Sequence, residues 1–307
     1  MHPLVAILGP TGSGKSELGL TVAARFSGEI VNFDSIQVYR HFQIGAAKLT
    51  EAGRRGVPHH LIDILEPDEV FTAGEFARRA AEVLARIRDR GRLPILVGGT
   101  GFYLRALLEG LFPGPTRDED LRRRLAKRPP QRLHRLLSRL DPHAARKIHP
   151  HDTPKMIRAL EVILLARRPI TELYAEGRRS LEGFSILKVG LLPDREALYD
   201  RLDRRTEAMF ASGLVEEVRE LLARGIPSTV KPFESHGYRQ ALQNVRGELN
   251  LREAVFYAQR NTRHYAKRQI TWFRREKDVE WFHGFGDEAA IQEQVLERAA
   301  AFLGGSP

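Results

Sequence analysis

Apolar residues come in short solid runs near the N-terminus. Leu4-Val5-Ala6-Ile7-Leu8 shows no alternation, the pattern of a strand buried on both faces of a parallel sheet. A glycine-rich turn follows, and from Lys15 to about Phe26 the spacing becomes helical. Ile30-Val31-Asn32-Phe33 predicts a second strand ending at Asp34, and His60 to Leu65 a short further one. Between Gly74 and Arg90, the apolar residues Phe76, Ala80, Val83, Leu84 and Ile87 recur near helical spacing. Pro94-Ile95-Leu96-Val97 predicts another strand, closed by Gly98-Gly99-Thr100-Gly101, with a helix running on to Leu111. Strands alternating with helices argue for an α/β fold with a doubly wound parallel sheet.

The texture changes at Phe112-Pro113-Gly114-Pro115. From Asp118 to about Ala175 only helical periodicity remains, rich in Arg and Leu. Leu187, Val189 and Leu191 then recur at period two, as in a strand rejoining the sheet. Beyond Pro193 the pattern is largely helical. The expected organisation is a first part of the core at 1–113, an all-helical insertion at 114–185, and a second part of the core with C-terminal helices at 186–307.

The 307 residues are 42% apolar and 29% charged, which excludes disordered and collagen-like chains. No apolar run approaches the ~20 residues of a membrane helix, and the N-terminus lacks the features of a signal peptide. There is no Cys, hence no disulfide, cysteine nucleophile or thiolate metal site, and a cytoplasmic location is expected. The net charge of +10 is unevenly spread. Residues 114–185 carry 17 Lys and Arg against 9 Asp and Glu, and residues 252–277 carry 8 against 2. Two basic segments suit an anionic partner.

Gly9-Pro10-Thr11-Gly12-Ser13-Gly14-Lys15-Ser16 fits G-x-x-x-x-G-K-[ST] between a strand and a helix, the context a P-loop requires. Its glycines let backbone N–H groups converge on an anion, and the helix N-terminus adds a positive dipole end. Lys15 is placed to meet phosphate oxygens and Ser16 to ligate Mg²⁺. Such a loop holds a di- or triphosphate without saying what is transferred. Asp34 stands at a strand's C-terminal end, where ligands bind in doubly wound sheets. A metal-holding carboxylate, a general base and a cap for the next segment all remain open. Ser35 and Gln37 follow as donors for a planar ligand. Gly98-Gly99-Thr100 faces the same crest, where glycines permit close approach of backbone to ligand. A kinase or nucleotidase often carries an Asp in that slot. His149 and His151, two apart across a proline, do not by themselves make a metal site.

Together these residues resemble the bacterial tRNA dimethylallyltransferases, or tRNA isopentenyltransferases. The stretches that carry the resemblance are GPTGSGKS (9–16), DSIQVYRHFQIGAAK (34–48), PHHLIDI (58–64), LVGGTGFYLRALLEGL (96–111), DPHAARKIHPHD (141–152), RALEV (158–162), GYRQ (237–240) and AKRQITWFR (266–274). The resemblance implies transfer of a dimethylallyl group from dimethylallyl diphosphate to N6 of the adenosine 3′-adjacent to the anticodon, with Mg²⁺ as cofactor. It implies that residues 9–16 grip the diphosphate, with Arg201 and Arg205 at that end; an exposed basic stripe is the other reading of that arginine pair. Asp34 matches the base, and Thr100 a residue near the transfer channel. Ser35, Ile36 and Gln37 match the strip along the substrate nucleotides. The helical insertion matches a clamp on the anticodon stem-loop, with Arg122, Lys155, Met156, Ile157 and Arg158 where contacts fall. The expected partners are tRNA and dimethylallyl diphosphate, without a membrane, and the chain is expected to be a monomer. Two rivals remain, a prenyltransferase of free adenine nucleotides and a P-loop small-molecule kinase. An RNA-binding protein with a vestigial loop would leave Asp34 and Thr100 without a task.

Overall fold

The computed structural model describes residues 1–112, 114–175, 177 and 180–305. Two compact units emerge, one comprising residues 1–107 with the segment from 182 onward, the other residues 108–181. The first opens with β1 (His2–Leu8), α1 (Lys15–Phe26), β2 (Gly28–Asn32), β3 (His59–His60), α2 (Ala73–Asp89), β4 (Leu93–Gly98) and α3 (Gly101–Leu108). Solvent-free strands and amphipathic helices follow from the apolar pattern, and caps set the ends. Thr72 Oγ1, for example, accepts from Glu75 N at 3.1 Å to start α2.

The second unit is helical: α4 (Glu119–Ala126), α5 (Pro130–Leu140), α6 (Pro142–Lys147), α7 (Thr153–Ala166) and α8 (Ile170–Ala175). Asp118, Asp141 and Asp152 each cap a helix N-terminus. Leu125, Leu133, Leu137, Met156 and Leu160 form its core.

The chain then returns through β5 (Phe184–Leu191), α9 (Arg195–Ala211), α10 (Leu214–Ala223), α11 (Tyr238–Val245), α12 (Leu251–Phe273), β6 (Val279–Phe282) and α13 (Ala289–Gly304). The strands form one parallel sheet in the order β3-β2-β4-β1-β5-β6, with Val5 opposite both Ile95 and Leu187. Val5, Ile7, Ile95, Val97, Val189 and their neighbours of like parity pack on α1 and α13. Leu4, Ala6, Leu8, Val31 and Leu96, of opposite parity, are equally buried, so both faces are covered and the sheet is doubly wound. Among the described residues no helix is long and apolar enough to cross a membrane.

Several element ends differ from the sequence expectation. The strand predicted over 60–65 shrinks to His59–His60, because Leu61 (φ 60°) and Asp63 (φ 55°) turn left-handed and break the extension. Leu65 keeps a single bridge to Tyr39. The helix predicted to Leu111 stops at Leu108. Phe184 and Ser185, assigned by sequence to the insertion, belong to β5, opposite His2 and Pro3. At the other boundary Pro113 lies outside the described residues. The short edge strand β6 was not predicted at all.

Candidate active site

The C-terminal ends of β1, β2 and β4 meet at one crest of the sheet, where a doubly wound fold binds its ligands. Residues 9–16 wrap from β1 into α1. Gly12 (φ 79°) and Gly14 (φ 84°) are left-handed, a conformation glycine adopts without cost. Beside this loop opens a crevice of about 360 Å³. Thr11, Gly12, Lys15, Ser16 and, from α9, Arg205 line one end of it. Gly9, Pro10, Ser13 and Gly14 build the loop behind that wall.

Lys15 Nζ donates to Pro10 O at 2.6 Å. Burial of the ammonium pulls its pKa down to about 7, the charge of Asp34 opposing and that of Arg205 assisting. Burial likewise lowers the Arg205 pKa, and its Nη1 lies 3.5 Å from Thr11 Oγ1. Two cations thus stand desolvated beside a ring of backbone amides. Arg201 does not line the crevice wall: it makes a bidentate ion pair with Asp287 at 2.8 Å and lies over the Phe285 ring at 4.6 Å. Arg201 stands one helical turn from Arg205, and its charge helps to lower the Arg205 pKa without Arg201 lining the crevice itself. The Arg201–Asp287 pair instead braces the loop from outside, where Gly286 N donates to Ser13 O at 2.9 Å.

Asp34 caps the turn that follows it. Its Oδ1 accepts from Ile36 N at 2.8 Å and Gln37 N at 3.4 Å. Among the described residues its Oδ2 accepts no hydrogen bond, and the side chain lines the crevice. The capping and chemical readings are therefore compatible, one oxygen for each. Ser35, Ile36 and Gln37 line the same wall. Thr100 stands just behind it: its Oγ1 accepts from Ser35 N at 3.1 Å, and a side-chain hydrogen bond links it to Tyr265 of α12. Burial, with the nearby Asp34 charge, pushes the Tyr265 hydroxyl well above its usual range, so it stays protonated.

Gly98 and Gly99 line the crevice, and packing also demands glycine at both positions. A Cβ at Gly98 would lie 2.6 Å from the Phe33 ring, and one at Gly99 would collide with Gln269 Nε2. Gln269 is a site residue that sequence reasoning missed. It is buried on α12, accepts from Thr11 N at 2.8 Å, and donates to Gly99 O at 2.8 Å, tying the β1 loop to the β4 turn. Its one sequence signal is an amide in the buried series Ala266, Gln269, Phe273, where helical spacing calls for an apolar residue.

Glu217 and Tyr238 went equally unassigned. The Glu217 carboxylate accepts from Gln43 N at 3.1 Å, from Ile44 N at 2.8 Å and from the Tyr238 hydroxyl, while Gly45 N donates to that hydroxyl at 3.2 Å. This clamp fixes the 43–47 loop, which forms another part of the wall. Met209, Phe210 and Leu214 supply an apolar patch.

In the helical unit the predicted contacts separate. Met156 and Ile157 are buried in its core, so their side chains present nothing to a partner; helical periodicity there reports packing. The buried Glu161 holds Arg158 at 2.7 Å, Arg122 at 3.1 Å and Asp118 N at 2.8 Å. Lys155, paired with Asp152, is 72% exposed.

The description "IPP transferase" belongs to a family model that matches residues 37–276, more than half of the chain. The chain belongs to the IPP transferase family. Among IPP transferase relatives, it is 64% identical to the tRNA dimethylallyltransferase of Solibacter usitatus over 98% of this chain and 99% of that one. It is 56% identical to the tRNA dimethylallyltransferase of Koribacter versatilis, over 96% and 97%. Of solved structures, the full-length tRNA isopentenylpyrophosphate transferase of Bacillus halodurans superposes with a TM-score of 0.73 at 38% identity, covering 99% of this chain and 96% of that one. A eukaryotic dimethylallyltransferase acting on tRNA superposes at 0.87 with 25% identity, over 100% and 81%. The family match begins at Gln37. For the glycine-rich loop and Asp34 the likeness therefore rests on the full-length relatives and on the geometry above.

Proposed function

We propose that this chain is a tRNA dimethylallyltransferase, moving a dimethylallyl group from dimethylallyl diphosphate to N6 of the adenosine 3′-adjacent to the anticodon. One observation carries this reading. A single crevice joins an amide-and-cation anion cradle, an apolar patch and a carboxylate with one uncommitted oxygen. A diphosphate, a five-carbon chain and an amine proton find their complements in that order.

The reaction breaks the C1–O bond to diphosphate and forms a C1–N6 bond. Charge growing on the leaving group meets the loop amides, Lys15 and Arg205, which are already in place and already desolvated. The N6 lone pair is delocalised into the adenine ring, so losing the proton as the bond forms helps. Asp34 Oδ2 accepts it, while Oδ1 keeps the carboxylate oriented through its cap. Thr100 steadies Ser35 and Tyr265 beside this carboxylate, a positioning role. Ser35, Ile36 and Gln37 border the incoming nucleotide.

Mg²⁺ fits as an escort of the diphosphate. Among the described residues no group of three or more His, Asp or Glu could cage a metal. Ser16 would supply one hard oxygen at the anion end, the diphosphate and water being the other donors available to it. When bound it would add neutralising charge at the leaving group.

An adenine reaches the crevice only by leaving its stack, which costs least in a single-stranded loop. The basic helical unit meets the phosphate backbone in this reading. Lys155 is exposed there although paired with Asp152, and Arg122 and Arg158 offer the edges that Glu161 leaves exposed. The test is incubation with dimethylallyl diphosphate and, separately, tRNA, AMP and ATP. Pyrophosphate release that requires tRNA, with an N6-substituted adenosine in the digested RNA, supports the reading. Prenylation of free AMP alone, or phosphate transfer from ATP, overturns it.

A further inference from the structure

Phe102 is 50% exposed. It stands in the first turn of α3, two residues beyond Thr100, and meets the Trp272 indole edge-on at 6.4 Å. The indole is itself fixed: a Cβ at Gly101 would collide with it, and the Arg105 guanidinium lies over the ring at 4.7 Å. Phe102 is therefore held up on a rigid base.

Trp272 belongs to a stripe along α12. Tyr265, Arg268 and Trp272 recur at i, i+3 and i+7, one face of the helix, and Arg275 stands in the turn just beyond its end, its N–H donating to Trp272 O at 3.0 Å. The stripe starts in the crevice, where Tyr265 lines the wall, and passes Arg268, whose guanidinium lies 5.7 Å from the Tyr265 ring centre. Arg268 and Arg275 are exposed, and among the described residues neither makes an ion pair. A path of alternating aromatic and unpaired cationic side chains thus leaves the crevice and ends at an open phenyl face. Single-stranded nucleic acid is bound by this combination, cations tracking phosphates and rings stacking on bases.

We propose that Phe102 is a stacking platform for a nucleobase next to the adenosine that enters the crevice, with Arg268 and Arg275 holding the intervening phosphates. This rests on the tRNA-prenylating reading above and adds to it a second point at which the loop is gripped. The occupant is a base, because the helix whose indole supports the ring also carries the exposed Arg268, with Arg275 in the turn beyond, and these cations would repel a basic peptide. A membrane would need a broader apolar area than one ring.

The test uses an anticodon stem-loop RNA with 2-aminopurine placed in turn at the nucleotides flanking the target adenosine. At one of these positions, wild-type protein quenches the fluorophore. Phe102→Ala should abolish that quench and weaken stem-loop binding about ten- to a hundredfold. Phe102→Tyr should keep both, and Phe102→Leu should keep the fold without the quench. Pyrophosphate affinity, unchanged in all three, checks that the crevice is intact. Wild-type affinity and quench in Phe102→Ala, with wild-type protein prenylating the RNA, would overturn this inference alone. Wild-type protein that binds but does not prenylate the RNA would overturn the functional reading while the quench still decides the stacking.

Discussion

Lys15 shows how one residue carries both a legible and an illegible property. Its place in the loop can be read from spacing. Its depressed pKa, about 7, cannot, because burial and the approach of Arg205 come from elements nearly two hundred residues away in sequence. The sign of the consequence is definite. A bound diphosphate restores the Lys15 proton, so binding takes up a proton once the pH exceeds about 7. Donor affinity should be full below that pH and fall as pH rises through it. Calorimetry of pyrophosphate binding in buffers of different ionisation enthalpy checks this, and Lys15→Met should lose the proton uptake. Asp34 is a similar case. Its end-of-strand position was legible; that Oδ1 caps the turn while Oδ2 stays uncommitted was not, because both alternatives look alike in a sequence.

At the scale of elements, strands and helices with solid apolar patterns were predictable because burial on two faces leaves no other composition. The errors fell where local backbone or a distant partner decides. Left-handed Leu61 and Asp63 cut short the predicted third strand. β6, four residues with one ladder, has too little pattern to detect. The Gly98-Gly99 turn lines the crevice, and the sequence does not show that a side chain there would strike Phe33 or Gln269. That packing has a test. Gly99→Ala should destabilise the fold by roughly 1–3 kcal/mol through overpacking and cut activity by pulling Gln269 off Thr11. Gln269→Ala removes the clash, so the two changes together should cost less than their sum. Thermal melts of the four proteins in a double-mutant cycle measure the coupling.

For the whole molecule, the distribution of charge is legible in the sequence and the pairing of individual arginines is not. The excess of Lys and Arg in 114–185 and 252–277 is visible in sequence. Which cations remain free depends on buried acceptors such as Glu161, whose partners lie on different helices. Met156 and Ile157 went to the core for the same reason: spacing says which face they share but not which side of the unit it meets. With phosphate contacts spread over both basic segments, tRNA affinity should fall steeply with salt. Affinity for dimethylallyl diphosphate, held in a buried cradle, should change little. Parallel titrations from low to moderate ionic strength check this, and equal slopes would speak against a charged RNA surface.

The central claim is that one crevice both holds the departing diphosphate and, through Asp34, takes the adenine proton. Single-turnover transfer by Asp34→Asn, with both substrates saturating, tests it most directly, because the asparagine amide oxygen can still cap Ile36 and Gln37. The account predicts intact binding of both substrates and a rate about 10²- to 10⁴-fold lower. Transfer at the wild-type rate would contradict it.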